Sequence, residues 1–124
     1  MCSSDLVNLV VGRPGESWIK GVTAAANKLI DMGVADPDRL GVEGTSYGGY
    51  ATVLLITQTD RFKAAQADRM ISNWWSWYGT SDAQGLTEFE FYGRPWDNPI
   101  MYDTLSPIRY VRQDRKSTRL NSSH

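Results

Sequence analysis

The stretch GVEGTSYGGY, residues 41–50, decides the fold class of this chain. It begins as a short strand, breaks at a serine flanked by glycines, and resumes as an aromatic and apolar run. Gly44, Ser46 and Gly48 form the pattern G-x-S-x-G, which is typical of a sharp turn between a strand and a helix. We expect a side chain at either glycine to collide with neighbouring backbone, and Gly49 to permit close packing of the next helix. The pattern predicts that Ser46 projects outward from a strained backbone.

The residues around the serine make the pattern more specific, because three fixed positions occur by chance in about one chain in twenty-five of this length. After the serine, apolar residues recur with helical spacing at Tyr50, Val53 and Leu54. The N-terminus of that helix would offer free N–H groups and a positive dipole end to a developing oxyanion. The alternative is an ordinary glycine turn between a strand and a helix.

The chain before and after this turn alternates between helix and strand. Trp18, Val22, Ala25, Ala26 and Leu29 share one helical face, and Gly33 is a predicted stop. A turn at 36–39 and a short buried strand at 40–44 follow, and a second strand is predicted at 62–67. This order predicts an α/β fold with a parallel sheet, right-handed crossovers and flanking helices.

The remaining sequence is less regular. Residues 71–82 are crowded with aromatic side chains, and residues 86–93 are predicted to form a short helix. A further helix is predicted within 98–111, ended by Pro107.

Composition excludes several function classes. The 124 residues are 41% hydrophobic and 22% charged with a net charge of −1, as in one ordinary soluble domain without a basic field for nucleic acid. No run approaches the ~20 apolar residues of a membrane span, and the first residues lack a signal-peptide pattern. The single cysteine, Cys2, excludes an internal disulfide and a cysteine-based zinc site. We expect a small-molecule or peptide partner and no cofactor or metal. The compartment stays open: a cytoplasmic location is favoured, but any export signal would lie outside this chain.

The two ends differ from the middle. MCSSDL at 1–6 and DRKSTRLNSSH at 114–124 resemble translated sequencing-adapter scars, and the latter cannot bury an apolar face. We predict that both are non-native and that residues 7–113 are the native part. Cys2 and the only histidine, His124, are then not functional candidates.

Three segments resemble a known family. DPDRLGVEGTSYGGYAT, TDRFKAAQADRMISNWWSWYGTSD and WDNPIMYDTLSPIRYV are similar to consecutive segments of the catalytic domain of the prolyl oligopeptidase family of serine peptidases. They are most similar to its acylaminoacyl-peptidase and dipeptidyl-peptidase-like branch. The family often has an acidic residue where Gly21 stands, a departure that affects a helix contact and not the serine.

The resemblance implies a partial α/β-hydrolase fold, truncated at both ends, in which Ser46 is the nucleophile of a Ser-Asp-His peptidase. The backbone N–H of Tyr47 would be one oxyanion-hole donor, and the second donor would lie upstream of the chain. The triad Asp and His would follow a strand beyond this chain, so Asp60, Asp68, Asp82, Asp97 and Asp103 come too early in the order. A peptide substrate, an N-terminal propeller and the rest of the catalytic domain are the implied partners.

The resemblance also implies an apolar substrate pocket walled by Ile71, Trp74, Trp77 and Tyr78. The alternative is that these residues are ordinary core, or contact the propeller. Arg69 either points into the site or lies on the surface.

Two other functions stay open: an α/β-hydrolase esterase acting on small acyl esters, and a non-catalytic hydrolase-like module. The segments DRFKAA and SPIRYV favour the peptidase over the esterase, and the intact serine favours it over the module.

Overall fold

The computed structural model describes residues 16–113, which form one small sheet and a series of helices. In chain order the elements are α1 (Glu16–Asp31), β1 (Gly41–Thr45), α2 (Tyr47–Gln58), β2 (Ala64–Asp68), α3 (Trp74–Thr80), α4 (Gly85–Glu90), α5 (Pro99–Thr104) and a 3-10 helix (Pro107–Gln113). The predicted non-native ends, 1–6 and 114–124, lie outside the described residues.

The two strands pair in parallel, as the order of elements predicts. Gly41 lies opposite Ala64 and Thr45 lies opposite Asp68, with α2 as the connection between the strands. β1 was expected to be buried, but its residues alternate between exposed and half-buried positions. The reason is that each strand has one neighbour within the described residues.

Helix α2 is the centre of the structure, and it packs against both strands and against the 3-10 helix. Because it is covered on several sides, it is apolar nearly all round instead of amphipathic. Its buried residues are Gly49, Tyr50, Thr52, Val53, Leu54, Leu55, Ile56 and Thr57. The helix ends at Thr59, which has extended backbone and whose N–H donates to the carbonyl of Leu55.

Helix α1 forms where the apolar spacing predicts it and ends at the predicted glycine. Gly33 has a φ of 73°, the left-handed conformation that favours glycine after a helix. The following turn is closed by the carboxylate of Asp36, which accepts from the N–H of Asp38 at 2.9 Å. The apolar face of α1 is only partly covered in this part of the chain, since Val22 and Leu29 are 39% and 44% exposed.

The C-terminal half contributes an aromatic core that packs onto α2. Tyr50, Trp74, Phe91 and Tyr102 are fully buried, and their rings meet edge to face. Helix α5 ends at Thr104 with Leu105 as its C-cap, two residues before Pro107, which agrees with the predicted stop. Pro107 also begins the 3-10 helix, where a residue without an N–H is tolerated because the first turn has no carbonyl to bind.

Candidate active site

Ser46 lies at the junction of β1 and α2, as the sequence predicts. Its backbone has φ 61° and ψ −120°, a conformation that is unfavourable for any residue other than glycine. Two hydrogen bonds hold it there: its N–H donates to the carbonyl of Asp68 at 2.9 Å, and its carbonyl accepts from the N–H of Tyr50 at 3.0 Å. The residue is exposed. The turn therefore presents a hydroxyl at the carboxyl end of the sheet on a backbone fixed from both sides.

The glycines around Ser46 differ in how much space surrounds them. A Cβ on Gly44 would lie 2.2 Å from the carbonyl oxygen of Gly48, and a Cβ on Gly49 would lie 2.6 Å from that of Asp68. Close packing at Gly44 and Gly49 is thus as expected. A Cβ on Gly48 meets no atom within 4 Å among the described residues, so the predicted collision at this position was wrong. The backbone of Gly48 is the obstacle to a side chain at Gly44.

The N-terminus of α2 is not capped by Ser46, whose side chain makes no capping hydrogen bond. The Oγ atom is therefore not engaged with the first turn of the helix. The N–H groups at the start of a helix carry partial positive charge and have no partner within the helix. This end of α2 can accordingly stabilise a negative charge that develops beside Ser46.

Tyr47 follows Ser46, and ring contacts and a hydrogen bond hold the Tyr47 side chain in place. Its ring lies edge-on to Tyr50, with centroids 5.4 Å apart, and at a tilt to Trp74, 6.4 Å away. Its hydroxyl donates to Oε2 of Glu90 at 3.0 Å. Burial and the neighbouring charge of Glu90 raise the pKa of Tyr47 far above its ordinary value, so the phenol stays neutral. Burial also raises the pKa of Glu90, an effect that the hydrogen bond from Tyr47 opposes.

Trp74 and Tyr78, both predicted as pocket walls, make core contacts. Trp74 is fully buried, its N–H donates to Oγ of Ser106 at 2.9 Å, and its Nε1 donates to the carbonyl of Leu105 at 3.1 Å. The Tyr78 hydroxyl donates to Glu88 at 2.6 Å, a bond that raises the pKa of Tyr78. Both side chains thus have partners inside the aromatic half of the molecule.

Ile71 and Trp77, the other two predicted walls, line a cavity of about 180 Å³. The complete lining is Met70, Ile71, Ser72, Asn73, Ser76, Trp77 and Thr80. The cavity adjoins the turn through Met70, because a Cβ on Gly49 would lie 3.3 Å from the Cα of Met70. The structure therefore brings two of the four predicted wall residues to one cavity, whose lining residue Met70 lies beside Gly49. That this cavity receives substrate stays a prediction.

Arg69 stands between the two residues that contact the turn, Asp68 and Met70. Its backbone is in the left-handed region with φ 49°, and its side chain is exposed. Arg69 belongs neither to the Arg94–Glu88 ion pair nor to the Arg109–Asp103 pair. Its role in the site stays open.

No group of three or more His, Cys, Asp or Glu side chains that could hold a metal occurs among the described residues. In the same part of the chain, no helix has the length and apolar character to cross a bilayer.

Sequence reasoning missed Glu90 as a component of the site. The residue lies in the segment LTEFEFYG with no motif around it, and its partner Tyr47 is 43 positions away. The available signal was local: a carboxylate between two phenylalanines is a candidate for partial burial and hence for a hydrogen-bond partner.

Comparison with protein families decides the relationship of this chain. The model of the prolyl oligopeptidase family matches residues 3–122. The chain belongs to the prolyl oligopeptidase family. The family resemblance drawn from the three sequence segments is thereby confirmed. The matched range includes most of both ends predicted to be non-native, and that assignment stays a prediction.

Two curated members of the prolyl oligopeptidase family show how much of a whole protein this chain represents. The uncharacterized peptidase YuxL of Bacillus subtilis (strain 168) is 46% identical over 109 residues, which are 86% of this chain and 17% of that protein. The acylamino-acid-releasing enzyme of Arabidopsis thaliana is 38% identical over 90 residues, 72% of this chain and 12% of that enzyme.

Solved structures of related peptidases share the fold. An acylaminoacyl peptidase in complex with Z-Gly-Gly-Phe-chloromethyl ketone superimposes with a TM-score of 0.85 and 30% identity. The superposition covers 98% of this chain and 20% of that peptidase. The described residues therefore form part of an α/β-hydrolase fold, as predicted.

Proposed function

We propose that this chain is the nucleophile-bearing part of a serine peptidase and that Ser46 attacks the carbonyl carbon of a scissile peptide bond. The supporting observation is the strained, exposed position of Ser46 between β1 and α2. A non-glycine residue at φ 61° is costly, and such strain persists where the surrounding structure maintains it for a purpose. Family membership favours a peptidase over the esterase and the non-catalytic module.

The attack would form a tetrahedral intermediate with a negative oxygen, and the backbone N–H of Tyr47 would donate to it. This group is the first in α2, so the helix dipole adds to the effect of the hydrogen bond. One oxyanion donor is worth about 3 to 4 kcal/mol of transition-state stabilisation in a serine protease. The intermediate would collapse to an acyl-enzyme on Ser46 as the scissile C–N bond breaks and the amine leaves with the proton taken from the serine. Water would then hydrolyse the ester, release the carboxylic acid and restore the Ser46 hydroxyl.

A serine attacks at neutral pH when a base removes its proton, and an acid orients that base. The sequence contains one histidine, His124, in the terminal segment predicted to be non-native. We propose that the triad histidine and its acid are supplied by parts of the full-length protein outside this chain. Alone, the chain would then hydrolyse neither peptides nor esters at a useful rate.

The proposed substrate is a peptide with an apolar side chain next to the scissile bond. Ile71 and Trp77 would give such a side chain an aliphatic and an aromatic wall, in a cavity that the polar residues Ser72, Asn73, Ser76 and Thr80 also line. The related acylaminoacyl peptidase was solved with a compound that carries a phenylalanine group, which agrees with this substrate class.

The test uses a full-length peptidase in which residues 16–113 replace the matched segment of the Bacillus subtilis relative, called the grafted peptidase below. We expect a fluorophosphonate probe to label it stoichiometrically and a chromogenic aminoacyl substrate to be turned over. Ser46→Ala is expected to abolish both, and Thr104→Ala, which removes an exposed hydroxyl remote from the turn, to leave both unchanged. The 124-residue chain alone is expected to show neither. Labelling or turnover that survives Ser46→Ala would refute the proposal.

A further inference from the structure

The side chain of Tyr47 is fixed at its outer end by a residue from a distant helix. Glu90, in the last turn of α4, accepts a hydrogen bond from the Tyr47 hydroxyl at 3.0 Å, and the bond is partly buried. The two residues are 43 positions apart, so this bond ties the aromatic half of the molecule to the turn that carries Ser46.

Glu90 belongs neither to the Arg94–Glu88 ion pair nor to the Arg109–Asp103 pair, in which the carboxylate side chains are 38% and 50% exposed. Partial burial raises the pKa of the Glu90 carboxyl, because the charged form loses hydration. The Tyr47 hydroxyl is the hydrogen-bond donor that compensates for this loss.

A comparison with Tyr50 indicates what the bond adds. Tyr50 is fully buried, and the surrounding packing holds its ring. Tyr47 is only half-buried, at the start of the same helix. Its orientation therefore depends more strongly on the bond to Glu90.

The backbone of Tyr47 is coupled to this side chain. The residue follows the strained Ser46, and its χ angles are set by the ring contacts with Tyr50 and Trp74 and by the hydroxyl bond. A ring that is free to rotate would allow the first turn of α2 to fray, as unsupported helix ends do. The N–H group of Tyr47 would then lose its fixed direction.

We propose that Glu90 is a positioning residue for the reaction: through the Tyr47 hydroxyl it holds the Tyr47 backbone N–H in the direction that the oxyanion requires. The inference rests on the proposed function of Ser46. It assigns Glu90 no contact with substrate. It requires an acceptor atom at this position and not a negative charge, so a glutamine can replace the glutamate.

The experiment compares Glu90→Gln, Glu90→Leu and Tyr47→Phe in the grafted peptidase. Glu90→Gln keeps a carbonyl acceptor, and we expect kcat within about threefold of the parent. Glu90→Leu and Tyr47→Phe each remove the bond, and we expect kcat to fall by about 10- to 100-fold with little change in KM. The double variant Tyr47→Phe/Glu90→Leu is expected to lose no more than either single variant, because both remove the same bond.

Glu88→Leu is the matched control, because Glu88 lies on the same helix and accepts a similar bond from Tyr78. It is expected to change kcat by less than about threefold. The control therefore separates the effect of losing the Tyr47–Glu90 bond from the effect of losing any tyrosine–carboxylate bond on α4. If Glu90→Leu fails to fold by circular dichroism, Tyr47→Phe decides the question, since phenylalanine keeps the ring contacts.

Two results would overturn the inference. In one, Ser46-dependent turnover is present but Tyr47→Phe leaves kcat unchanged. In the other, KM rises while kcat stays constant, which would mean that Glu90 shapes substrate binding. A grafted peptidase with no Ser46-dependent labelling would instead refute the proposed function, and the inference with it.

Discussion

Substitution of the two glycines that flank Ser46 is expected to have opposite effects on stability. Gly44 is in β1, and a Cβ there would lie 2.2 Å from the oxygen and 2.4 Å from the carbon of the Gly48 carbonyl. Both contacts are far shorter than the 3.0 Å that Cβ atoms essentially never go below, and both are with backbone that cannot rotate away. Gly48 is in α2, and its own Cβ would meet nothing within 4 Å among residues 16–113.

The expected magnitude follows from these distances. Gly44→Ala must push β1 and the first turn of α2 apart, and overpacking against rigid neighbours costs about 1 to 3 kcal/mol or more. We expect a loss near the upper end, about 3 kcal/mol, because the contact is with main chain. Gly48→Ala replaces glycine by the best helix former without a clash. We expect it to be neutral or to stabilise by up to about 1 kcal/mol.

The assay is urea unfolding of each alanine variant and the parent, followed by the fluorescence of the five tryptophans, of which Trp74 is fully buried. Gly49→Ala is a second positive control, because its Cβ would lie 2.6 Å from the carbonyl oxygen of Asp68. The reasoning fails if Gly48→Ala destabilises the protein as much as Gly44→Ala does. That result would mean that these positions require glycine for its backbone conformation and not because a Cβ would collide with neighbouring atoms.

Three further outcomes are expected from the same unfolding measurement. Ser106→Ala removes the acceptor of the buried Trp74 N–H and should cost about 1 to 3 kcal/mol, whereas Thr104→Ala, which loses an exposed bond, should cost less than about 0.5 kcal/mol. Asn73→Ala removes the side chain that accepts two N–H groups at the start of α3 and should cost about 1 kcal/mol, with Asn73→Asp retaining the cap. Glu90 has a pKa raised by folding above 4.5, so the folded state binds more protons and stability should fall as pH rises from 4.5 through that pKa. Glu90→Gln should flatten this slope, and an unchanged slope would contradict the assignment.

The alternation of helix and strand could be predicted because each signal is local. Helical spacing of apolar residues placed α1 and α2, and a glycine marked the end of α1. The strained serine followed from the pattern of glycines alone. These features depend on residues within about four positions of each other, which sequence spacing describes well.

The aromatic segment at residues 71–82 has contacts that local sequence patterns cannot predict. Trp74, Trp77 and Tyr78 are spaced as one face of α3, and the sequence cannot show what covers that face. In the structure Ser106 and the carbonyl of Leu105, more than thirty positions later, bind Trp74 and make it core. The same long range explains why Glu90 was missed: its role depends on Tyr47, which no spacing rule connects to it.

Trp77 contacts the buried aromatic core and also lines the cavity. Its ring lies edge-on to Trp74 with centroids 5.3 Å apart, and it also lines the cavity next to the turn. The wall of the proposed pocket is therefore supported from behind by a fully buried ring, which Ser106 and Leu105 hold in place. Because packed interiors transmit small displacements, a change behind the wall should alter the cavity without contacting it. Trp77 thus belongs both to the aromatic cluster and to the wall of the proposed pocket, and this is why aromatic spacing could not assign it to one or the other.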